Sequence, residues 1–326
     1  NRLSDALADG TFQFSYKKVC QHYGVPASTA SVSEIMRRRI QYRESLLPPV
    51  RTPHIISVVE VVFFGERYPA VLGVWDGEVY CLDILRDSSE ETCGAFLKTL
   101  NANQVETIYV DPVDSLFNAV NQYFPMASIV VTDEAIRRYA RNAMLDIIHS
   151  DGKRFPVVHK DRRLTVLHRD LDDRTVIPRI KEGMKSRPRL QQAYTHHQRL
   201  LELMETKWSM EDLRTWADQI PAEVDEFWAV GDIIDIFGEQ LSGFLILGEK
   251  PPKNYQFAVQ GICDAIKDMP HCIFDVMRGR CIFSITHDTM EENGELWRYG
   301  IKSSRLIEKI NEISANIREE RDYGYQ

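Results

Sequence analysis

The chain has 326 residues, of which 44% are hydrophobic and 27% charged, a globular composition that allows two domains or one core with an insertion. Its formal net charge of -8 argues against a uniformly basic nucleic-acid-binding protein, although the charge is unevenly spread. No stretch approaches ~18 apolar residues, so no membrane span is expected. The six cysteines include no Cys-x-x-Cys pair, which argues against a zinc ribbon or a disulfide framework and favours buried thiols in the reducing cytoplasm.

The first 48 residues read as helical, and residues 15–32 have the pattern of a helix-turn-helix. Gly24 would supply the turn, and Ser28 would cap the second helix. The small polar side chains at the start of that helix could approach a DNA groove, and a basic run follows them. The alternative is a plain helical hairpin. The predicted DNA contacts in this part are Ser28, Thr29, Ser31, Arg37, Arg38 and Arg39.

After a proline-rich, stiff linker at residues 46–53, the pattern changes to β-structure. Strands are predicted at 55–64, 68–74 and 78–85, and the Asp76-Gly77 pair between the last two makes an antiparallel meander. Next come a helix at 88–100, a strand at 106–110, a helix at 114–124, a strand at 128–131 and a helix at 134–150. The order β-β-β-α-β-α-β-α is that of an RNase H-like fold. A flavodoxin-like fold would need a βα unit at the start.

The second half of the chain is mostly helical. Residues 153–176 are basic, with two short segments at 155–159 and 164–167 that could be strands. A solvated loop is the common reading of such a run, but contact with a DNA backbone is the alternative favoured here. Its predicted DNA contacts are Lys153, Arg154, Lys160, Arg162 and Arg163.

Residues 177–248 have helical periodicity and suggest an all-helical insertion, with Trp208, Trp216 and Trp228 as packing anchors. The adjacent His196 and His197 should point one to the core and one to solvent, which argues against a metal site. Further helices are predicted at 255–268 and 299–321.

Three separated segments carry a common pattern. Residues 58–71 contain Glu60 within a strand, followed by Gly65-Glu-Arg-Tyr68 leading into the next strand. Residues 106–133 form a strand ending in Asp111, a helix ending in Phe124-Pro125, a strand, and Asp133. Residues 273–283 read Ile-Phe-Asp-Val-Met-Arg-Gly-Arg-Cys-Ile-Phe.

In this order the three segments resemble the DDE-type insertion-sequence transposases of the IS-L-three group, over most of residues 54–283. The resemblance implies an RNase H-like core interrupted by a helical insertion. It also implies a catalytic metal site, in which Asp111 matches the second catalytic Asp. The first catalytic Asp falls on Val59, next to Glu60, and counting back from 273–283 places the catalytic Glu at Gln256. Asp133 matches a later Asp of the family, but the His that follows it there is Ile136 here.

The chemistry implied by the resemblance is phosphoryl transfer with two Mg²⁺ ions held by charged oxygen ligands. Val59 offers no donor, and Gln256 offers only a neutral carbonyl oxygen. We therefore expect little or no DNA cleavage or strand transfer. A β-bulge that re-aims Glu60 could rebuild the site, as could Asp133 or Asp114 acting as an additional ligand beside Asp111. Without a metal, the ordinary role of Asp111 is to cap the helix that follows.

The resulting division of the chain is a helix-turn-helix at 1–48, core at 54–176, helical insertion at 177–250, closing core helix at 251–285, and a C-terminal helix at 286–326. The function expected first is a catalytically impaired transposase-family protein that binds double-stranded DNA, with dimerisation plausible and a location at the nucleoid. The alternatives are an active Mg²⁺-dependent transposase and a protein-interaction scaffold without enzymatic activity.

Overall fold

The structure is a computed structural model, and it describes residues 2–9, 16–152, 162–171, 176–247, 251–252, 254–270 and 272–323. The chain divides into two compact units. The first contains residues 1–129 and 250–326, and the second contains residues 130–249. Within the described ranges, no helix is long and apolar enough to cross a membrane.

The first unit is built on a sheet. Its strands are β1 (Ile55–Phe63), β2 (Glu66–Trp75), β3 (Glu78–Ile84), β4 (Thr107–Val110), β5 (Ser128–Val130), β6 (Asp288–Glu292) and β7 (Glu295–Lys302). The described strands form one sheet in the order β5-β4-β1-β2-β3-β7-β6. β1, β2 and β3 are antiparallel neighbours, and β1 is parallel to β4. This confirms the predicted mixed sheet of an RNase H-like fold.

The helices of the first unit come from both of its sequence segments. They are α1 (Arg2–Asp9), α2 (Tyr16–His22), α3 (Thr29–Glu44), α4 (Glu90–Leu97), α5 (Asp114–Tyr123), α12 (Tyr255–Lys267), α13 (Phe274–Arg278) and α14 (Ser303–Tyr323). A π-helical turn, Gly279–Phe283, follows α13 directly. The labels α6 to α11 belong to the second unit, described below.

Helix α3 is fastened to the core. Ser28 caps it by accepting the Ser31 backbone N–H, as predicted, and Gly24 before it has a positive φ of 65°. Val32 and Met36 pack with residues of α1 and α2 and with Val276 of α13. A Cβ on Gly279 would lie 2.2 Å from Met36 Cε, so the absence of a side chain there lets α3 approach closely.

A buried ion pair completes this attachment. The Arg278 guanidinium donates to Asp83 of β3 and, over 3.0 Å, to Glu44 at the end of α3. Burial alone would lower the pKa of Arg278, but these carboxylates raise it above its ordinary value. Helices α1 to α3 are therefore held against the sheet through α13 and Arg278.

The linker and the C-terminal region differ from the prediction. Val50 forms a parallel bridge with Arg298 of β7, and the Arg51 N–H donates to the Arg298 carbonyl over 2.8 Å, so part of the proline-rich segment is bonded to the sheet. The predicted helix at 299–321 begins only at Ser303. The residues before it form the β6–β7 hairpin, whose Asn293-Gly294 turn has positive φ at both residues, and the strand continues to Lys302.

The second unit is all-helical in its described residues apart from its link to β5. Its helices are α6 (Asp133–Gly152), α7 (Val176–Met184), α8 (Pro188–Glu205), α9 (Met210–Asp218), α10 (Trp228–Ile236) and α11 (Gly238–Leu247). α6, predicted as part of the core, packs on α8, and Arg137 donates to the Met204 carbonyl over 2.6 Å. Residues 162–165 are a 3-10 helix, so the predicted strand at 164–167 is wrong. The predicted strand at 155–159 lies outside the described residues.

Two histidines of α8 are buried together, and the expectation that one would face solvent is wrong. His196 is 3% exposed and stacks on Trp216, and His197 is fully buried beside Phe227. Burial, helped by nearby Arg199, lowers the pKa of His196 to about 4. Burial, helped by Arg141 and then His196, lowers the pKa of His197 to about 3. Both rings are therefore neutral in the folded unit near pH 7.

We expect Gly300→Ala to lower the free energy of unfolding by roughly 2–4 kcal/mol in a denaturant titration. Gly300 has a φ of 100°, and a Cβ there would lie 2.4 Å from the Cys81 carbonyl oxygen. Gly294→Ala is the control, because its φ is also positive but nothing lies within 4 Å of its Cβ, so it should lose only about 1 kcal/mol. Equal losses for the two variants would mean that β7 does not approach β3 this closely.

We expect the second unit to lose stability as the pH falls from about 6.5 towards 4. Each folded-state pKa lies below the ordinary value, so the unfolded chain binds protons that the folded unit does not, and each histidine costs roughly 2 kcal/mol between pH 7 and pH 5. The measurement is tryptophan fluorescence during urea unfolding. The variant with His196→Phe and His197→Phe should depend less on pH, whereas the exposed-residue control His54→Gln should behave like the parent. An unchanged pH slope in the double variant would contradict the assignment.

Candidate functional site

The register between β1 and β4 places two predicted site positions side by side. Val58 pairs with Val110, and the Asp111 N–H donates to the Val58 carbonyl over 3.0 Å, so Val59 and Asp111 are the next neighbours along the two strands. Neighbours in register point to the same face of a sheet. The first two positions implied by the family resemblance are therefore adjacent in the fold.

Helix α12 covers the face to which these two residues belong. The Tyr255 hydroxyl lies 2.5 Å from Ser57 Oγ, and the Tyr255 ring lies 5.2 Å from the ring of Tyr109. Ser57 and Tyr109 pair in register and precede Val59 and Asp111 by two residues, so all four share the face under α12. Farther along α12, Cys263 Sγ lies 3.8 Å from the Glu60 carbonyl oxygen, which shows that α12 continues past this level of the sheet.

The side chain of Asp111 has a structural partner. It is 2% exposed, and its Oδ2 accepts the Glu60 backbone N–H over 2.6 Å. The carboxylate thus satisfies an N–H of β1 at the point where β4 ends. It does not cap the following helix. α5 begins at Asp114, its N-cap residue is Val113, and no side chain makes a capping hydrogen bond from that position.

Glu60 points to the opposite face of the sheet. β1 pairs with β2 without interruption from Ile55 to Phe63, so the structure has no bulge that would turn Glu60 towards Asp111. The Glu60 Oε2 instead accepts from Arg67 Nη1 of β2 over 2.9 Å. Glu60 therefore contacts Asp111 only through its backbone N–H, while its carboxylate pairs with Arg67 on the other face of the sheet.

Gln256 lies in the first turn of α12, where its side chain is exposed. Its side chain forms no hydrogen bond with any residue that the structure describes. The face that α12 buries consists of Tyr255, Ala258, Val259, Ile262, Ala265 and Ile266. The placement of Gln256 gives its assignment to the third catalytic position no support, and that assignment stays a prediction.

The side chains present do not fit the two-metal site of the family. Such a site needs several charged oxygen donors converging on one point. On the face under α12, Asp111 has Val59 beside it, and the buried surface of the helix carries no carboxylate. Across the described ranges, no group of three or more His, Cys, Asp or Glu side chains is arranged to hold a metal ion.

Asp133, the other predicted metal ligand, belongs to the second unit. It begins α6, and its Oδ2 lies 3.7 Å from Arg137 Nε one turn later. Its neighbour Glu134 has a raised pKa, chiefly because it is buried. Asp133 thus has a local cationic partner within its own helix.

The predicted DNA contacts of α3 divide into a cap and a charged face. Ser28 is bonded to Ser31, which fixes the start of the helix, and Thr29 is exposed. Glu34 accepts from both Arg37 and Arg38, and hydrogen bonds from Arg38 and then Arg37 lower the pKa of the Glu34 carboxyl.

Arg39 faces another way and pairs with Asp5 of α1 over 2.5 Å. Of the basic run in the second unit, Arg163 is exposed. Lys153, Arg154, Lys160 and the side chain of Arg162 lie outside what the structure describes.

Two contacts around the site were not anticipated. Arg67 donates a hydrogen bond to the Glu60 carboxylate, and the Tyr255 hydroxyl is hydrogen-bonded to Ser57 Oγ. The first had a signal in the sequence. In the β1–β2 hairpin Glu60 pairs with Pro69, and Arg67 lies two residues from Pro69, so the two side chains are diagonal neighbours on one face of the sheet. The second depends on how α12 docks, which no local pattern reveals.

A comparison with known families supports the resemblance. A family model described as a transposase, of the DDE type and the IS-L-three group, matches residues 64–240, which is more than half of the chain. The matched range contains Asp111 and Asp133, begins after Val59 and Glu60, and ends before Gln256. No curated protein matches the chain. The chain belongs to the IS-L-three family of DDE transposases.

Proposed function

We propose that this protein is a transposase-family DNA-binding protein whose phosphoryl-transfer site has been lost. The proposed loss rests on one observation. The neighbour of Asp111 in the sheet is Val59, a buried residue whose side chain has no oxygen to bind a metal. The shared face is closed by apolar residues of α12 and by Tyr255, so a developing phosphorane charge would meet one carboxylate where the family chemistry needs three.

The DNA-binding half of the proposal rests on the N-terminal 48 residues. They contain seven basic and four acidic residues in a chain whose net charge is -8. Arg37 and Arg38 are exposed on α3, and the side chain of their shared partner Glu34 is 38% exposed, so phosphate oxygens can replace it at little cost. The packing of α3 on α13 and the capped start of α3 present this face on a rigid support.

We expect no nicking of a supercoiled plasmid by the full chain with either Mg²⁺ or Mn²⁺, measured on agarose gels. Asp111→Asn should give the same result as the parent. The variant should still fold, because the amide oxygen of Asn can accept the Glu60 N–H as the carboxylate does. Metal-dependent nicking that Asp111→Asn abolishes would establish the alternative, an active transposase.

A gain-of-site experiment tests the geometry directly. Val59→Asp should lower stability by roughly 2–4 kcal/mol without metal, because it buries a carboxylate beside that of Asp111. Millimolar Mn²⁺ should then raise the melting temperature of this variant and leave the parent unchanged. Val61→Asp is the matched control, since Val61 is buried on the same face of β1 but lies past the end of β4, and Mn²⁺ should not rescue it. Equal rescue of both variants would contradict the register.

For DNA binding, we expect the variant with Arg37→Ala and Arg38→Ala to bind a random duplex about tenfold more weakly. The slope of log K against log salt should fall by roughly 2, because each phosphate contact contributes about 0.9. The measurement is fluorescence anisotropy at several salt concentrations, and Lys98→Ala on the sheet unit is the single-charge control. A parent chain that does not bind duplex DNA at all would leave the interaction scaffold as the function.

A further inference from the structure

The last part of the second unit is strongly acidic. Residues 202–249 contain twelve acidic and two basic residues. A surface of this sign repels nucleic acid and anionic membranes, so it cannot serve the DNA-binding role proposed for the N-terminal helices. It needs a different explanation.

On α10, this negative charge surrounds exposed apolar side chains. Trp228 is 53% exposed and Ile236 is 63% exposed, whereas Trp208 and Trp216 of the same unit are buried, as predicted. The expectation that Trp228 is also a packing anchor is wrong. The opposite side of α10 anchors it through Val230, Ile233 and Ile234, so the exposed side chains are not needed for its packing.

The exposed residues form one stripe. Trp228, Asp232, Asp235 and Ile236 are exposed and lie three, four, seven or eight residues from one another or side by side, which places them on one side of α10. Trp228 and Ile236 are about 12 Å apart along the axis at 1.5 Å per residue. Asp232 and Asp235 form no ion pair with any residue in the described part of the chain. We define these four residues as the α10 stripe.

We propose that the α10 stripe binds a cationic amphipathic segment of another protein. Exposed tryptophan is the side chain most enriched among residues that dominate binding energy, and two apolar anchors two turns apart match the spacing of one face of a partner helix. The carboxylates of Asp232 and Asp235 between the anchors select lysine or arginine on the partner and would speed its encounter. Charge complementarity is thus what identifies the occupant as basic.

The test uses the full chain and a defined probe, a fluorescein-labelled helical peptide made only of leucine and lysine, followed by anisotropy at 150 mM salt. We expect saturable binding. Trp228→Ala and Ile236→Ala should each weaken it at least tenfold, and the pair Asp232→Asn with Asp235→Asn should weaken it and reduce its salt dependence. All variants are first checked for unchanged circular dichroism.

The matched control is the pair Glu291→Gln with Glu295→Gln in the β6–β7 hairpin, which removes the same charge from exposed positions in the other unit. It should change the affinity less than twofold. Absence of binding, an equal loss in the control, or no effect of the two apolar substitutions would each overturn the proposal. Concentration-dependent self-association of the parent that Trp228→Ala abolishes would also overturn it, by identifying the occupant as a second copy of this chain.

Discussion

The parallel pairing of β1 with β4 is the constraint on which the rest of this site depends. It sets Val59 beside Asp111 and turns both towards α12, and it leaves the Asp111 carboxylate to accept the Glu60 N–H where β4 stops. Because β1 pairs with β2 without a bulge, the Glu60 side chain points to the opposite face, where it pairs with Arg67. One register thus decides which side chains can share a metal, and it leaves Asp111 with a structural task that requires no metal.

The same sheet supports the N-terminal helices through a second buried interaction. Arg278 joins Asp83 of β3 to Glu44 of α3, and the missing side chain of Gly279 admits Met36. Removing either carboxylate would leave a buried guanidinium underpaired, which is costly. The attachment therefore favours helices and sheet moving as one body, so that a DNA segment bound by α3 would stand at a fixed place relative to the sheet.

Much of this fold could be predicted from the sequence, because its signals are local. Asp76-Gly77, the β-branched runs and the Ser28 cap are set by neighbouring residues, and they gave the strands and helices that the structure has. Side-chain partners depend on distant packing instead. The exposure of Gln256 and Trp228 and the burial of both His196 and His197 follow from how elements dock, which periodicity within one helix cannot distinguish. The β6–β7 hairpin differs, because its Asn293-Gly294 turn is itself a local signal that the predicted helix at 299–321 did not include.

The proposed loss of the metal site and the uneven distribution of charge are physically connected. A chain that must hold phosphates and two divalent cations needs its carboxylates converging in the core and its outer surface basic along the DNA. Here the face under α12 has Asp111 with apolar neighbours, and the strongest concentration of carboxylates is in residues 202–249, which include the exposed Trp228. A segment of this sign opposes contact with DNA. On the functions proposed above, the N-terminal helices would hold DNA and the α10 stripe would bind a partner of opposite charge, so that one chain would link a DNA segment to a basic protein.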